Sequence, residues 1–308
     1  PAPRRHPAPP PSPLPRGTIL LVDVDGTLPN LALMKLSRHF KNRGRKVALA
    51  RGVQSLPRCK EVLASCVFCS PQSVKRLEVL KSTFGGNLQT GGSGVDLQLR
   101  LPPDIEGLPP DFSLYPELGD RALGFLTRGC PQRCPFCVVP VKEGRPRQVS
   151  DLDTLLQRRR KLILLDDNLL AHPAALELLE EMARRKLAVN FNQTLDVRRL
   201  TPESAGLLRR IRCSNVGFTR PNYHFSLNDA RGLERVRQHY ALLQTTGRDN
   251  VEFVCMYGFH TSLAEDVERF RFLRSLPGAY VFVQRYRPVL GGPAPNLSRL
   301  FDDRADTL

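Results

Sequence analysis

The sequence predicts an α/β protein in two parts, a small Rossmann-like βαβ domain followed by a partial (βα)6 barrel of the TIM type. Three observations predict it. Apolar runs of strand length alternate with amphipathic stretches along most of the 308 residues. A segment carrying five prolines and no periodicity, LPPDIEGLPPDFSLYP (101–116), breaks the alternation once. Beyond it the alternation restarts and supplies six β/α units, fewer than the eight strands of a complete barrel. The expected boundaries are a disordered Pro-rich tail over 1–16, the small domain over 17–100, a linker over 101–119, the barrel over 120–288 and a C-terminal extension over 289–308.

In order along the chain, PAPRRHPAPPPSPLPR lacks amide donors at its many prolines and has no pattern that would bury a face, hence the tail. TILLVDV (18–24) reads as a buried strand. NLALMKLSRHFKNRG places Leu31, Leu33, Met34, Leu36 and Phe40 at helical spacing and stops at Gly44. KVALA and EVLASCVF are the next strands, SVKRLEVLKSTF is a helix, and NLQTGGSG is a Gly-rich turn. The barrel strands are expected at 122–129, 161–167, 187–193, 214–219, 250–259 and 279–286. Between them DLDTLLQRR, PAALELLEEMARR, PESAGLLRRI, DARGLERVRQHYALLQTT and LAEDVERFRFLRSL read as helices, two of them with Pro173 or Pro202 in the first turn. In such a fold the chemistry belongs at the C-terminal ends of the strands.

Bulk properties narrow the partners. No apolar run is long enough to span a bilayer and no apolar segment follows the basic N-terminus, so neither a membrane span nor a signal peptide is expected and the cytoplasm is the expected location. The net charge of +16 is compatible with an RNA substrate. Against that, 37 of the 46 basic residues are Arg, in scattered pairs on helical stretches, which reads as solvated helix faces and compositional bias. Eight cysteines without a secretory signal do not suggest a disulfide framework.

Three of those cysteines sit together. GFLTRGCPQRCPFCVVP puts Cys130, Cys134 and Cys137 in a C-x3-C-x2-C loop directly after the first barrel strand. Three thiolates there can hold three irons of a [4Fe–4S] cubane and leave the fourth iron open. Zinc would require a fourth Cys or His nearby, and VVPVKEGRPRQVSD supplies none. Pro131 and Pro135 stiffen the loop, and Arg128 and Arg133 place positive charge beside it.

With Phe136 just before the third cysteine, this motif resembles that of the radical S-adenosylmethionine (SAM) superfamily, and the resemblance extends over about 120–288. It implies that SAM chelates the open iron. An electron from a low-potential flavodoxin or ferredoxin type of donor then cleaves SAM to methionine and a 5′-deoxyadenosyl radical that acts on a substrate the sequence does not name. The resemblance directs SAM to the strand ends. Asp166, Asp167 and Asn168 would take the amino group, with Asp167 favoured. Asn190, Asn192, Gln193 and Asp196 would reach the ribose, Arg220 the carboxylate, and Gly258 the adenine; His260 reads as a surface residue.

The front domain carries a rival. ILLVDVDGTL (19–28) looks like the nucleophile loop of the haloacid-dehalogenase phosphatases, with Asp23 as nucleophile, Asp25 as acid/base and Ser70 available for a later part. That reading leaves the cysteine loop unexplained, and Asp23 is instead expected to cap the following helix. The domain also resembles a shortened cobalamin-binding domain, with Gly91-Gly92-Ser93-Gly94 as its glycine turn. It lacks the Asp-x-His-x-x-Gly signature, so any bound cobalamin would have no His ligand. Cys59, Cys66 and Cys69 suggest a second cluster, but their spacing differs from that of the methylthiotransferases and two lie around an apolar strand. A cluster-binding scaffold without catalysis is the remaining class.

Overall fold

The computed structural model describes residues 14–247, 250–289 and 292–299. The chain forms two units, the first running to Glu117 and the second from Leu118 to Pro288. The expected tail up to residue 13 and most of the expected C-terminal extension lie outside the described residues.

The first unit is a four-stranded parallel sheet. Its elements are β1 (Ile19–Asp23), α1 (Leu31–Asn42), β2 (Val47–Arg51), β3 (Val62–Ser65), α2 (Pro71–Phe84) and β4 (Leu88–Gly91), with strand order β2-β1-β3-β4. β1 is buried at every residue, which is why ILLVD is a continuous apolar run rather than an alternating one. Leu20, Val22, Val62, Ala64, Leu80 and Phe84 form the core on one side. Asn30, not Asp23, caps α1, its side chain accepting from the Leu33 N–H at 3.2 Å. Ser70 caps α2 in the same manner, accepting from the Ser73 N–H at 3.1 Å.

Two expectations for this region change. The stretch read as a Gly-rich turn contains β4, and its glycines serve close packing. A Cβ on Gly92 would stand 2.2 Å from the Cys66 carbonyl oxygen, and one on Gly94 2.2 Å from that of Phe68. The proline segment, expected to be a linker, holds the short helix α3 (Pro103–Glu106) and buries Ile105, Phe112, Leu114 and Tyr115. Proline removes donors but not apolar area, and the segment packs through its side chains.

The second unit also has an α/β architecture with parallel sheets. It contains β5 (Arg121–Gly124), β6 (Thr127–Arg128), α4 (Val139–Lys142), β7 (Arg147–Gln148), α5 (Leu152–Leu156), β8 (Lys161–Leu164), α6 (Ala175–Arg184) and β9 (Ala188–Phe191). Then follow β10 (Leu195–Asp196), α7 (Pro202–Arg210), β11 (Arg212–Cys213), β12 (Tyr223–Ser226), α8 (Leu233–Ala241), β13 (Val251–Tyr257), α9 (Leu263–Arg274) and β14 (Ala279–Arg285). One four-stranded parallel sheet has the order β11-β9-β8-β5, another β10-β12-β13-β14, and β6 pairs β7 antiparallel. No ladder joins the two parallel sheets among the described residues, so the strands expected to form one partial barrel pair as two sheets.

The expected fourth strand, 214–219, is a turn. Asn215 accepts through its side chain from the N–H groups of Thr219 (2.9 Å) and Arg220 (3.2 Å), and Phe218 takes φ +56°. An Asn side chain that bonds the backbone ahead of it bends the chain out of a ladder. The ladder is made by β11 and β12 on either side. Pro202 starts α7 behind a Thr201–Ser204 capping box, whereas α6 begins at Ala175, after the Pro173 expected in its first turn. Among the described residues, no helix is long and apolar enough to cross a membrane.

Candidate active site

A cavity of about 1020 Å³ lies in the second unit, lined by the segments that follow β5, β8, β9, β12 and β13. These are the C-terminal ends of parallel strands, where backbone directions leave side chains free to converge.

The cysteine loop is held from beneath. Gly129 has φ +91°, and a Cβ there would stand 2.5 Å from the Arg145 carbonyl oxygen, so only glycine lets the loop cross the 144–145 segment. The Cys130 N–H donates to Gly144 O at 3.3 Å, and the Cys137 N–H to Cys134 O at 3.0 Å, which closes the turn between the last two thiols. Arg128 stacks over Phe125 and pairs with Glu143 at 3.1 Å, and of the two arginines expected beside the loop it is Arg133 that lines the cavity. Phe136 meets the buried Phe259 ring edge-on, with centroids 6.0 Å apart.

Cys130, Cys134 and Cys137 all line the cavity. Burial, then the charge of Cys130, raises the Cys134 thiol above its ordinary pKa, and burial raises Cys137 to about 11. Metal binding at these two residues would therefore displace protons. Among the described residues, no group of three His, Cys, Asp or Glu side chains is arranged to hold a metal ion.

Asp167 and Asn168 follow β8 into the same cavity. Asp167 accepts from the Gly129 N–H at 2.7 Å, and burial raises its carboxyl. Asn168 is 6% exposed and donates through Nδ2 to Cys130 Sγ at 3.6 Å, while its buried Oδ1 has no hydrogen-bond partner among the described residues. That orphaned acceptor, beside a carboxylate and on the thiol wall, suits a ligand that donates N–H groups. Asn192, Gln193, Asp196 and Phe136 complete the predicted residues that reach the cavity.

The other four predicted residues do not line it. Asp166 is 4% exposed and accepts from the N–H groups of Leu126 and Thr127 (2.8 Å each) and from the Thr127 hydroxyl (2.6 Å). Burial raises it to about 7, and its role is to fix the chain leaving β5. Asn190 is fully buried and donates to Ser214 O at 2.9 Å, joining β9 to the turn beyond β11. Arg220 lies against Tyr280, 3.4 Å from its hydroxyl, and Gly258 takes φ +75° beyond β13.

Sequence reasoning missed Gln132, Arg198, Asn228, Asp229, Arg231 and Met256, all of which line the cavity. His260, read as a surface residue, is exposed and contributes to the same lining. Asn228 Oδ1 accepts from the Met256 N–H at 2.7 Å, and Asp229 takes a two-pronged pair from Arg198 at 3.2 and 2.9 Å. The signal available was positional: Asn228 and Asp229 lie within three residues of the end of a strand, as Asp167 does, but YHFS had not been read as one.

The front-domain candidates present a different picture. Asp23 is 2% exposed and accepts from the Gly26 N–H at 3.0 Å and the Tyr115 hydroxyl at 2.9 Å; burial raises its carboxyl. Asp25 accepts from the N–H groups of Val67 (2.8 Å) and Phe68 (2.9 Å), and from the Cys66 thiol at 3.2 Å. A phosphatase nucleophile must be open to phosphorus, and Asp23 is enclosed. Burial raises Cys66 to about 12, and the Cys59 thiol donates to Thr18 O at 3.1 Å, so both thiols are engaged within the unit.

No family model matches the chain. Among curated proteins it is 27% identical over 173 residues to the bacteriochlorophyllide d C-12(1)-methyltransferase of Chlorobaculum tepidum, covering 49% of this chain and 38% of that protein. It is 30% identical over 105 residues to the ribosomal protein uS12 methylthiotransferase RimO of Thermus thermophilus, covering 33% of this chain and 24% of that one. The chain thus spans less than half the length of the curated relatives it matches. The similarity to these two enzymes supports the radical-SAM resemblance at the level of the superfamily.

Proposed function

We propose that the protein is a radical-SAM enzyme whose cysteine loop holds a [4Fe–4S] cluster, with the two parallel sheets of the second unit acting as the halves of an open partial barrel. The observation that carries this is the placement of all three thiols on the wall of one cavity that also presents Asp167 and the unpartnered Asn168 Oδ1. The donor set fits the group. It is all thiol, two of its members are raised by burial, and a cationic metal centre relieves that cost. A cubane places its cysteine ligands on separate irons, so three thiols leave one iron open.

When bound, such a cluster with SAM supplies a 5′-deoxyadenosyl radical able to abstract hydrogen from a substrate. The protein's own residues bind and orient. Asp167 and Asn168 Oδ1 would accept from the SAM ammonium and Asn192 and Gln193 would offer partners for the ribose, while Phe136 on Phe259 gives an apolar wall. The electron comes from a flavodoxin- or ferredoxin-type donor.

Anaerobic reconstitution with iron and sulfide, then dithionite and SAM, tests this by chromatography of 5′-deoxyadenosine. Product that depends on the cluster and is absent from Cys134→Ala is the expected result. Iron content unchanged by single Ala substitutions at Cys130, Cys134 and Cys137 overturns it.

A further inference from the structure

Beside the cysteine cavity is a second recess of about 620 Å³ whose walls are basic. Arg198, Arg199, Arg231 and Arg235 line it against two carboxylates, Asp196 and Asp229. Gln132, Asp196, Arg198, Asp229 and Arg231 line both spaces, so the two are contiguous; Arg199 and Arg235 line the recess alone.

The charges there do not cancel. Asp229 is shared between Arg198 (3.2 and 2.9 Å) and Arg231 Nε (3.3 Å). Burial works against its charge, yet the two guanidiniums hold its carboxyl below the ordinary value. Asp196 stands 3.6 Å from Arg199 Nε, too far for a hydrogen bond, and takes a weak one from Gln132 Nε2 at 3.3 Å. Arg235 meets His239 Nε2 at 3.4 Å, and no carboxylate pairs with it among the described residues. Four guanidiniums facing two carboxylates leave a surplus of two positive charges in one recess. Guanidinium forks match the oxygens of carboxylates and phosphates, and the Arg198–Asp229 pair fixes one edge of the set.

The cavity next door has the opposite balance: Asp167, Asp196, Asp229, Glu265 and Glu268 line it against Arg133, Arg198 and Arg231, so carboxylates outnumber guanidiniums there, besides the thiols. A cationic sulfonium is favoured there and an anion is not. We infer that the recess binds an anionic group of the substrate, a carboxylate or a phosphate, while the rest of that substrate extends into the cysteine cavity. What happens in the cavity rests on the radical-SAM reading; anion binding in the recess does not.

Calorimetric titration of the full chain at constant ionic strength, with inorganic phosphate in one arm and succinate in the other, tests the inference. One saturable site is expected for at least one probe, weakened about tenfold in Arg199→Gln/Arg235→Gln by the loss of charge-assisted donors. Arg199→Lys/Arg235→Lys, which keeps the charge, is expected to restore most of the binding and shows that the Gln variant is not simply misfolded. Phosphate alone binding points to phosphorylated substrates, and succinate alone to carboxylates. Binding of neither probe, or equal binding by wild type and the Gln variant, overturns the inference. So does a tenfold loss of SAM affinity in the Gln variant, which would give the recess to the cofactor's own carboxylate. Failure of the wild type to make 5′-deoxyadenosine while phosphate binding behaves as described would remove the radical-SAM reading and leave the recess standing.

Discussion

Two pairs of aspartates end parallel strands in this chain, and they have opposite fates. Asp23 ends β1, Asp25 follows it, and both turn back into their own unit, where Gly26, Tyr115, Val67 and Phe68 take up their oxygens. Asp166 and Asp167 follow β8 and divide the work. The first carboxylate is consumed by the loop of Leu126 and Thr127, and the second reaches the cavity with one backbone partner. A carboxylate at a strand end is therefore only an opportunity. What decides its use is whether nearby backbone N–H groups need an acceptor more than a ligand does.

The comparison is most sharply tested with thiols. Cys134→Ala should reduce reconstituted iron to background, whereas Cys59→Ala, Cys66→Ala and Cys69→Ala combined should leave a full complement, measured by iron and sulfide analysis of the purified protein. Loss of about half the iron in the triple variant would instead place a second cluster in the front unit.

Asp266 extends the comparison as a carboxylate answered by a charge. It is fully buried with Arg269, at 2.7 Å, and Arg269 also donates to Met256 O at 2.7 Å, tying α9 to the strand that carries cavity residues. Arg269→Met strands that carboxylate and should cost about 3–5 kcal/mol in urea unfolding. Asp166→Ala removes the acceptor for three donors and should cost about 1.5–3 kcal/mol, while Asp167→Asn should change stability by less than about 1 kcal/mol and weaken SAM binding in equilibrium dialysis. Equal stability losses at the two positions would erase the division of labour. Asp23→Asn should leave hydrolysis of p-nitrophenyl phosphate with Mg²⁺ at the background level of the wild type; activity that disappears in the variant would reopen the phosphatase reading.

The smallest effect concerns pH. Burial, with Arg220 adding to it and Glu252 opposing, lowers His224 below its ordinary 6.5, so the folded protein binds fewer protons there than the unfolded chain. Its contribution is complete above about pH 6.5 and declines as the pH falls toward the depressed value. Melting curves between pH 7.5 and 5.5 should show this decline, reduced in His224→Gln.

The architecture was legible where burial was complete. ILLVD, KLIL and AVNF lie in parallel sheets, and the apolar residues that make up most of each are buried, as strands covered on both faces require. YHFS and LQTG were missed because their polar and glycine content hid short strands held by neighbours rather than by their own pattern. At the site, the C-x3-C-x2-C loop was legible because ligand spacing is local. The separate tasks of Asp166 and Asp167 were not, since they depend on donors about 40 residues away, at Leu126, Thr127 and Gly129. The Arg198–Asp229 pair has the same cause, its partners being 31 residues apart.

Gly129 carries a consequence for inheritance. Its side-chain position is filled by the Arg145 and Gly144 carbonyls, so no other residue can stand there without displacing the loop. In a saturation screen scored for cluster loading, position 129 should be as intolerant as the cysteines themselves, although glycine contributes no atom to the metal. A carrier of such an allele would make a chain that keeps all three thiols and loses the loop path that presents them to the cavity.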